Sequence, residues 1–217
     1  QPFISCKFKL NINKESKVSN LYENRKSQYC YENSNVLINK LNLKDPKKLR
    51  YYEAKITAAK LLGLRKMGVT GNFNIEHLKS IHKYLFEDIY PFAGEFRKEN
   101  ISKDEFRFAE WEYIENELKI LLDKLKKEKY LQNYDKKELA KRLAYYLAEI
   151  NVLHPFREGN GRTSREFIRQ LALLNGYRLN LKEVPTKEIM EAMKLSIVYT
   201  EKLENILYKC LEKGVDN

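Results

Sequence analysis

Two apolar stripes at helical spacing are separated by a twelve-residue segment whose Pro and Gly residues interrupt the helix between them. Leu139, Leu143, Tyr146, Leu147, Ile150 and Leu153 form the first stripe, and Phe167, Ile168, Leu171 and Leu174 the second. Pro155 disfavours helical backbone at His154, while Gly159 and Gly161 permit a sharp bend whose N–H groups can approach a ligand. The second stripe begins at that bend and is closed by Asn175-Gly176, so the sequence predicts helix, tight loop, helix. The first amides of the second helix have no partner within it, and its dipole adds positive potential to the loop. The ligand that fits such a place is an anion, with phosphate the best match.

The rest of the chain reads as scaffold for this loop. With 217 residues, 43% of them hydrophobic, it is long enough for one compact domain with a small appendage. Eight glycines and five prolines are few, which favours helices over a sandwich or barrel. Residues 1–44 read as an Asn/Ser/Lys-rich arm with one short helix between Lys14 and Arg25, and 45–217 as the main domain. Asp45 as cap and Pro46 at the first helical position open a helix that runs to about Gly68. A second follows Asn74, with Ile75, Leu78, Ile81, His82 and Leu85 on one face, and stops before Pro91. His77 and His82 lack Asp, Cys or His companions and read as structural. Between Gly94 and Glu110 alternating Phe96, Phe106 and Phe108 predict a short hairpin, and helices are expected at 110–128, 136–153, 162–175 and 196–212. The expected fold class is mostly α, a helical bundle with one short β-hairpin.

The net charge of +11 raises nucleic-acid binding, but the densest basic run, Lys124 to Arg142, mixes Glu128, Asp135 and Glu138 with its lysines and reads as solvated helix face. Cys6, Cys30 and Cys210 are odd in number and far apart, without zinc-ligand spacing, which favours a reduced, cytoplasmic setting. No apolar run approaches the ~20 residues of a membrane span, so no membrane association is expected. The missing initial Met is read as trimming.

The side chains of the bend agree with phosphate chemistry. Glu158 offers one hard oxygen ligand to Mg²⁺, which completes its shell with water and substrate phosphates. Arg162 and Arg165 share a face at the helix start and can grip several phosphate oxygens, and Asn160 adds an uncharged donor. His154 is suited to taking a proton from an attacking hydroxyl. A Walker A loop is absent.

His154 to Arg165 resembles the signature of the Fic (filamentation induced by cAMP) family, His-x-Phe-x-[Asp/Glu]-Gly-Asn-Gly-Arg-x-x-Arg, at every specified position. Tyr90 to Arg97, the hairpin after it and Asn35 to Lys40 are also similar to family segments, so the resemblance covers about residues 30 to 212. It implies AMPylation, in which a Tyr, Thr or Ser hydroxyl of a target protein attacks the α-phosphorus of ATP, the target being in one version the chain itself. By that resemblance His154 is the base, Glu158 holds Mg²⁺, and Asn160 contacts the α-phosphate region. Gly159 and Gly161 shape the anion hole, Arg162 and Arg165 take the β- and γ-phosphates, and Phe156 anchors the loop. The hairpin, Ile101 to Phe108, corresponds to a flap that aligns the target by strand addition.

The family's inhibitory pattern, [Ser/Thr]-x-x-x-Glu-[Gly/Asn], occurs twice, at Ser19 to Asn24 and at Thr200 to Asn205. The first, with Ser19 and Glu23 in the arm, is the favoured plug for the second arginine, because the second copy falls in a helix that reads as scaffold. The alternatives within enzymes are transfer of UMP or phosphocholine, and Doc-like phosphorylation, against which Gly161 stands where that branch carries Lys. A nucleic-acid-binding regulator is the alternative from another class.

Overall fold

A computed structural model describes residues 27–67, 71–103 and 106–214. The helices of the bundle are α1 (Pro46–Met67), α2 (Ile75–Phe86), α3 (Ile114–Lys127), α4 (Lys136–Leu153), α5 (Asn160–Leu174), α6 (Thr186–Leu195) and α7 (Glu201–Cys210). The predicted hairpin forms from β1 (Ser102–Lys103) and β2 (Phe106–Arg107), paired antiparallel with Ser102 opposite Arg107.

Helix starts follow the capping chemistry of the sequence. Asp45 Oδ1 accepts from the amide of Lys47 at 2.8 Å, Asn74 Oδ1 from that of His77 at 3.0 Å, and Asp135 Oδ1 from that of Glu138 at 2.8 Å. The stripe of α4 is buried along its whole length, and α7 and α5 are its principal packing partners. Helix α2 packs on α5 with Leu78, Ile81 and Leu85 fully buried, and α1 packs on α2. The loop between α4 and α5 is thus fixed by two core helices and backed by a third.

The C-terminal part differs from the expected single helix at 196–212. Helix α6 ends at Leu195, where the Ser196 hydroxyl donates to the carbonyl of Met193 at 2.8 Å, and α7 begins only at Glu201. Leu211 and Glu212 belong instead to strand β4 (Leu211–Lys213), antiparallel to β3 (Tyr177–Leu179). The pairing is long-range and each strand spans three residues, too short to set up a period of two. The predicted arm helix lies outside the described residues, as does Cys6; Cys30 and Cys210 are free thiols. No described helix is long and apolar enough to cross a membrane.

Candidate active site

Helix α4 stops at His154, where the following Pro155 disfavours continuing the α-helix, and the His154 backbone turns left-handed (φ 45°, ψ 60°). For a residue with a Cβ this conformation costs about 1–3 kcal/mol, so neighbouring structure must hold it. Arg97 does so. Its side chain, only 1% exposed, donates from Nε to the carbonyl of His154 at 2.8 Å and from Nη2 to those of Leu153 at 3.1 Å and Ala109 at 2.5 Å. Its backbone N–H donates to the carbonyl of Pro155 at 2.9 Å. Burial lowers the Arg97 pKa to about 10, still far above neutrality.

The bend is completed at Gly159, also left-handed (φ 81°), where a Cβ would run into the Phe86 ring. Asn160 is buried and occupied at both ends: its Oδ1 accepts from the Phe156 amide at 2.8 Å, and its Nδ2 donates to the Phe156 carbonyl at 2.7 Å. The phosphate contact that the resemblance implies for Asn160 is thus accompanied by a loop-closing role that the sequence did not indicate. Phe156 lies in the core, stacked on His82 with centroids 3.9 Å apart. Nδ1 of His82 accepts from the Gly94 amide at 2.8 Å, which leaves Nε2 protonated to donate to the Glu158 carbonyl at 3.0 Å.

The geometry leaves one ring nitrogen of His154 able to accept a proton. Its Nδ1 lies 3.2 Å from the carbonyl of Asn151, which can only accept, so Nδ1 carries the proton and Nε2 keeps its lone pair. The ring stacks on Phe108 at 3.8 Å, at the end of the hairpin. Burial, reinforced by the charges of Arg97 and Lys103, lowers its pKa to about 4, and burial lowers that of His82 to about 4 as well. The unfolded chain takes up these protons near pH ~6.5, whereas the fold refuses them until about pH 4, so stability is present above ~6.5 and lost as pH falls. The expected loss between pH 7 and pH 5 is roughly 2 kcal/mol per imidazole in urea unfolding, and His154→Ala should remove about half of that dependence.

Three charged groups complete the site. Glu158 Oε1 accepts from the Gly159 amide at 2.8 Å and from Arg162 Nη2 at 3.3 Å. Arg162 lies over the Phe86 ring at 4.7 Å and is paired with Glu53 of α1 at 2.5 Å. Arg165 lies back over Gly161, where a Cβ would touch its guanidinium, and has no hydrogen-bond or ion-pair partner among the described residues. Burial and the nearby charge of Arg162 both lower its pKa. The amides of Asn160 and Gly161, at the start of α5, likewise meet no acceptor among the described residues. A part-buried cation with no partner among the described residues, beside open helix-start amides, can receive an anion.

Of the residues singled out in the sequence, His154, Glu158, Gly159, Asn160, Gly161, Arg162 and Arg165 fall in this one bend, and Phe108 joins them from the hairpin with Ile101 hydrogen-bonded to it. Ser19 and Glu23 lie outside the described residues. Glu204 sits on α7 and accepts from the Thr200 hydroxyl at 2.6 Å. Sequence reasoning missed the roles of Glu53, His82 and Arg97. A histidine on the apolar face of α2 and an arginine directly after Phe96 were the available signals.

Residues 72–172 match the Fic/DOC family. The chain is 38% identical over 171 residues to the protein adenylyltransferase VbhT of Bartonella schoenbuchensis, covering 79% of this chain and 36% of that one. It therefore spans about a third of that relative's length. It is 33% identical over 163 residues to the Escherichia coli protein named "Probable protein adenylyltransferase Fic", covering 75% of this chain and 80% of that one. Among solved structures, the N-terminal Fic domain of a Bartonella quintana effector with bound ADP superposes with a TM-score of 0.80 at 27% identity, covering 86% of this chain and 95% of that one.

Proposed function

Since the chain belongs to the Fic/DOC family, we infer that it is a protein adenylyltransferase, moving AMP from ATP to a hydroxyl side chain of a target protein. The relatives named as protein adenylyltransferases support this reading. The observation that carries it is the juxtaposition, in one bend, of an imidazole whose Nε2 keeps its lone pair with open helix-start amides and an Arg165 that has no partner among the described residues.

In this reading the phosphates rest on the amides of Asn160 and Gly161 and on the guanidinium of Arg165, with Arg162 beside them. The target hydroxyl oxygen attacks the α-phosphorus, its proton passes to Nε2 of His154, the bond between the α-phosphorus and the bridging oxygen breaks, and pyrophosphate leaves. Preorganised donors supply most of the stabilisation, since they need no rearrangement as charge moves. Asn160 serves the phosphates chiefly by closing the loop that presents them with amides. The edge of β1 and β2, bounded by Ile101 and Phe108, receives the target segment as an added strand.

The site also suits Mg²⁺. The Glu158 side chain is 41% exposed at the mouth of the bend, and no three His, Cys, Asp or Glu side chains cluster as ligands among the described residues. That donor set fits a cation held by one carboxylate together with substrate phosphates. When bound, Mg²⁺ would neutralise phosphate charge. Glu23 is the proposed inhibitory plug, so Glu23→Gly is expected to raise self-modification with labelled ATP; equal incorporation by the parent chain would remove Glu23 from that role.

Parallel incubation with α-labelled and γ-labelled ATP tests the activity. Incorporation of the first label without the second is expected. Retention of the γ-label would make the chain a Doc-like kinase, and retention of neither, with DNA binding independent of His154, would favour the nucleic-acid regulator.

A further inference from the structure

Arg162 stands between two carboxylates. Its Nη2 lies 2.5 Å from Glu53 Oε1 and 3.3 Å from Glu158 Oε1. Glu158 and Arg162 are four residues apart at a helix start, a spacing at which opposite charges pair by themselves. A guanidinium closed on Glu158 would compete with any metal ion for the same oxygens. The contact to Glu158 stays the longer of the two because a bracket built from α1 and the segment after α2 holds the guanidinium toward Glu53.

Glu53 is the more sheltered acid, its side chain 13% exposed against 41% for Glu158, so its attraction for the 23% exposed Arg162 is less screened by water. Its second oxygen accepts from the Tyr90 hydroxyl, which burial keeps protonated by pushing its pKa far up. Tyr90 is itself stacked between Phe86 and Phe92. One turn along α1, the Thr57 hydroxyl donates to the Glu53 carbonyl at 2.8 Å, and its oxygen accepts from Arg162 Nη1 at 3.2 Å. The guanidinium is thereby gripped from the α1 side.

We propose that Glu53 is a positioning residue that limits Arg162 to a single long contact with Glu158 Oε1 and so leaves the rest of that carboxylate open to a divalent cation. The proposal rests on the nucleotide-transfer reading above and deepens it. Glu53→Gln keeps the shape but removes the competing charge, so Arg162 should close on Glu158. Tyr90→Phe, which retains the ring stacking and removes the hydroxyl, should act in the same direction more weakly.

The test is calorimetric titration of the full chain with AMPPNP, in Mg²⁺ and in EDTA, alongside the Mg²⁺ dependence of AMP transfer. For the parent chain, Mg²⁺ should tighten binding. In Glu53→Gln that gain should shrink about tenfold, with EDTA affinity unchanged or higher, and the half-saturating Mg²⁺ should rise about tenfold. An unchanged Mg²⁺ gain in either folded variant overturns the proposal, Tyr90→Phe deciding if the glutamine variant does not fold. So does weaker binding in EDTA with the gain intact, which would make Glu53 only a prop for Arg162. If the parent chain neither binds AMPPNP nor transfers AMP, both this proposal and the reading beneath it fall; AMP transfer by the parent with a matching Glu53→Gln overturns this one alone.

Discussion

His154→Ala should lower AMP transfer about 10³-fold while leaving AMPPNP affinity within about twofold of the parent chain. The separation follows from geometry. The imidazole offers a lone pair at Nε2 and gives its proton-bearing Nδ1 to the Asn151 carbonyl, whereas the phosphates are to be held by amides and guanidinium groups further along the bend. Because burial lowers the His154 pKa to about 4, the base is already in its acceptor form at neutral pH. The acid limb of kcat/KM should therefore fall near pH 4 to 5 and not near the ordinary value of ~6.5. A variant that keeps more than about a tenth of the parent rate would contradict the assignment of His154 as base.

The second large effect is expected at Arg97, whose side chain is buried behind the bend. Arg97→Met would leave the carbonyls of Leu153, His154, Glu99 and Ala109 without their donor. Unsatisfied buried groups cost about 1–3 kcal/mol each, and partial relaxation brings the expected loss to about 3–5 kcal/mol in urea unfolding. The folded fraction should also lose AMP transfer by at least about 100-fold, since the left-handed backbone at His154 depends on that anchor. Arg97→Lys keeps a charge but not the planar fork, and should fall between the two. A Met variant whose stability lies within about 0.5 kcal/mol of the parent would refute the anchoring role.

The bend was legible in the sequence because its chemistry is local. His154, Glu158 and the two arginines lie within twelve residues, and Pro155, Gly159 and Gly161 dictate the backbone through forces that act over one or two residues. The apolar spacing of 139–153 and 75–85 placed α4 and α2, and with them the core, because burial of a stripe dominates helix formation. The residues that tune the site come from far away in the chain. Glu53 is 109 residues from Arg162, Arg97 is 57 from His154, and His82 is 76 from Glu158. No periodicity records such pairs, since each depends on how α1, α2 and the turn after it pack around the bend. The break at Ser196 to Thr200 was hidden for a related reason: Leu203, Ile206 and Leu207 keep a helical spacing that says nothing about where the helix must stop.

In the proposed function one amide-lined turn seats ATP with its α-phosphorus facing Nε2 of His154. A crystal structure of the chain with AMPPNP and Mg²⁺ measures this directly. Phosphate oxygens are expected on the N–H groups of Asn160 and Gly161 and on the Arg165 guanidinium, with the α-phosphorus turned toward Nε2 of His154. A nucleotide held elsewhere, or one bound in the turn with its γ-phosphate toward His154, would contradict it.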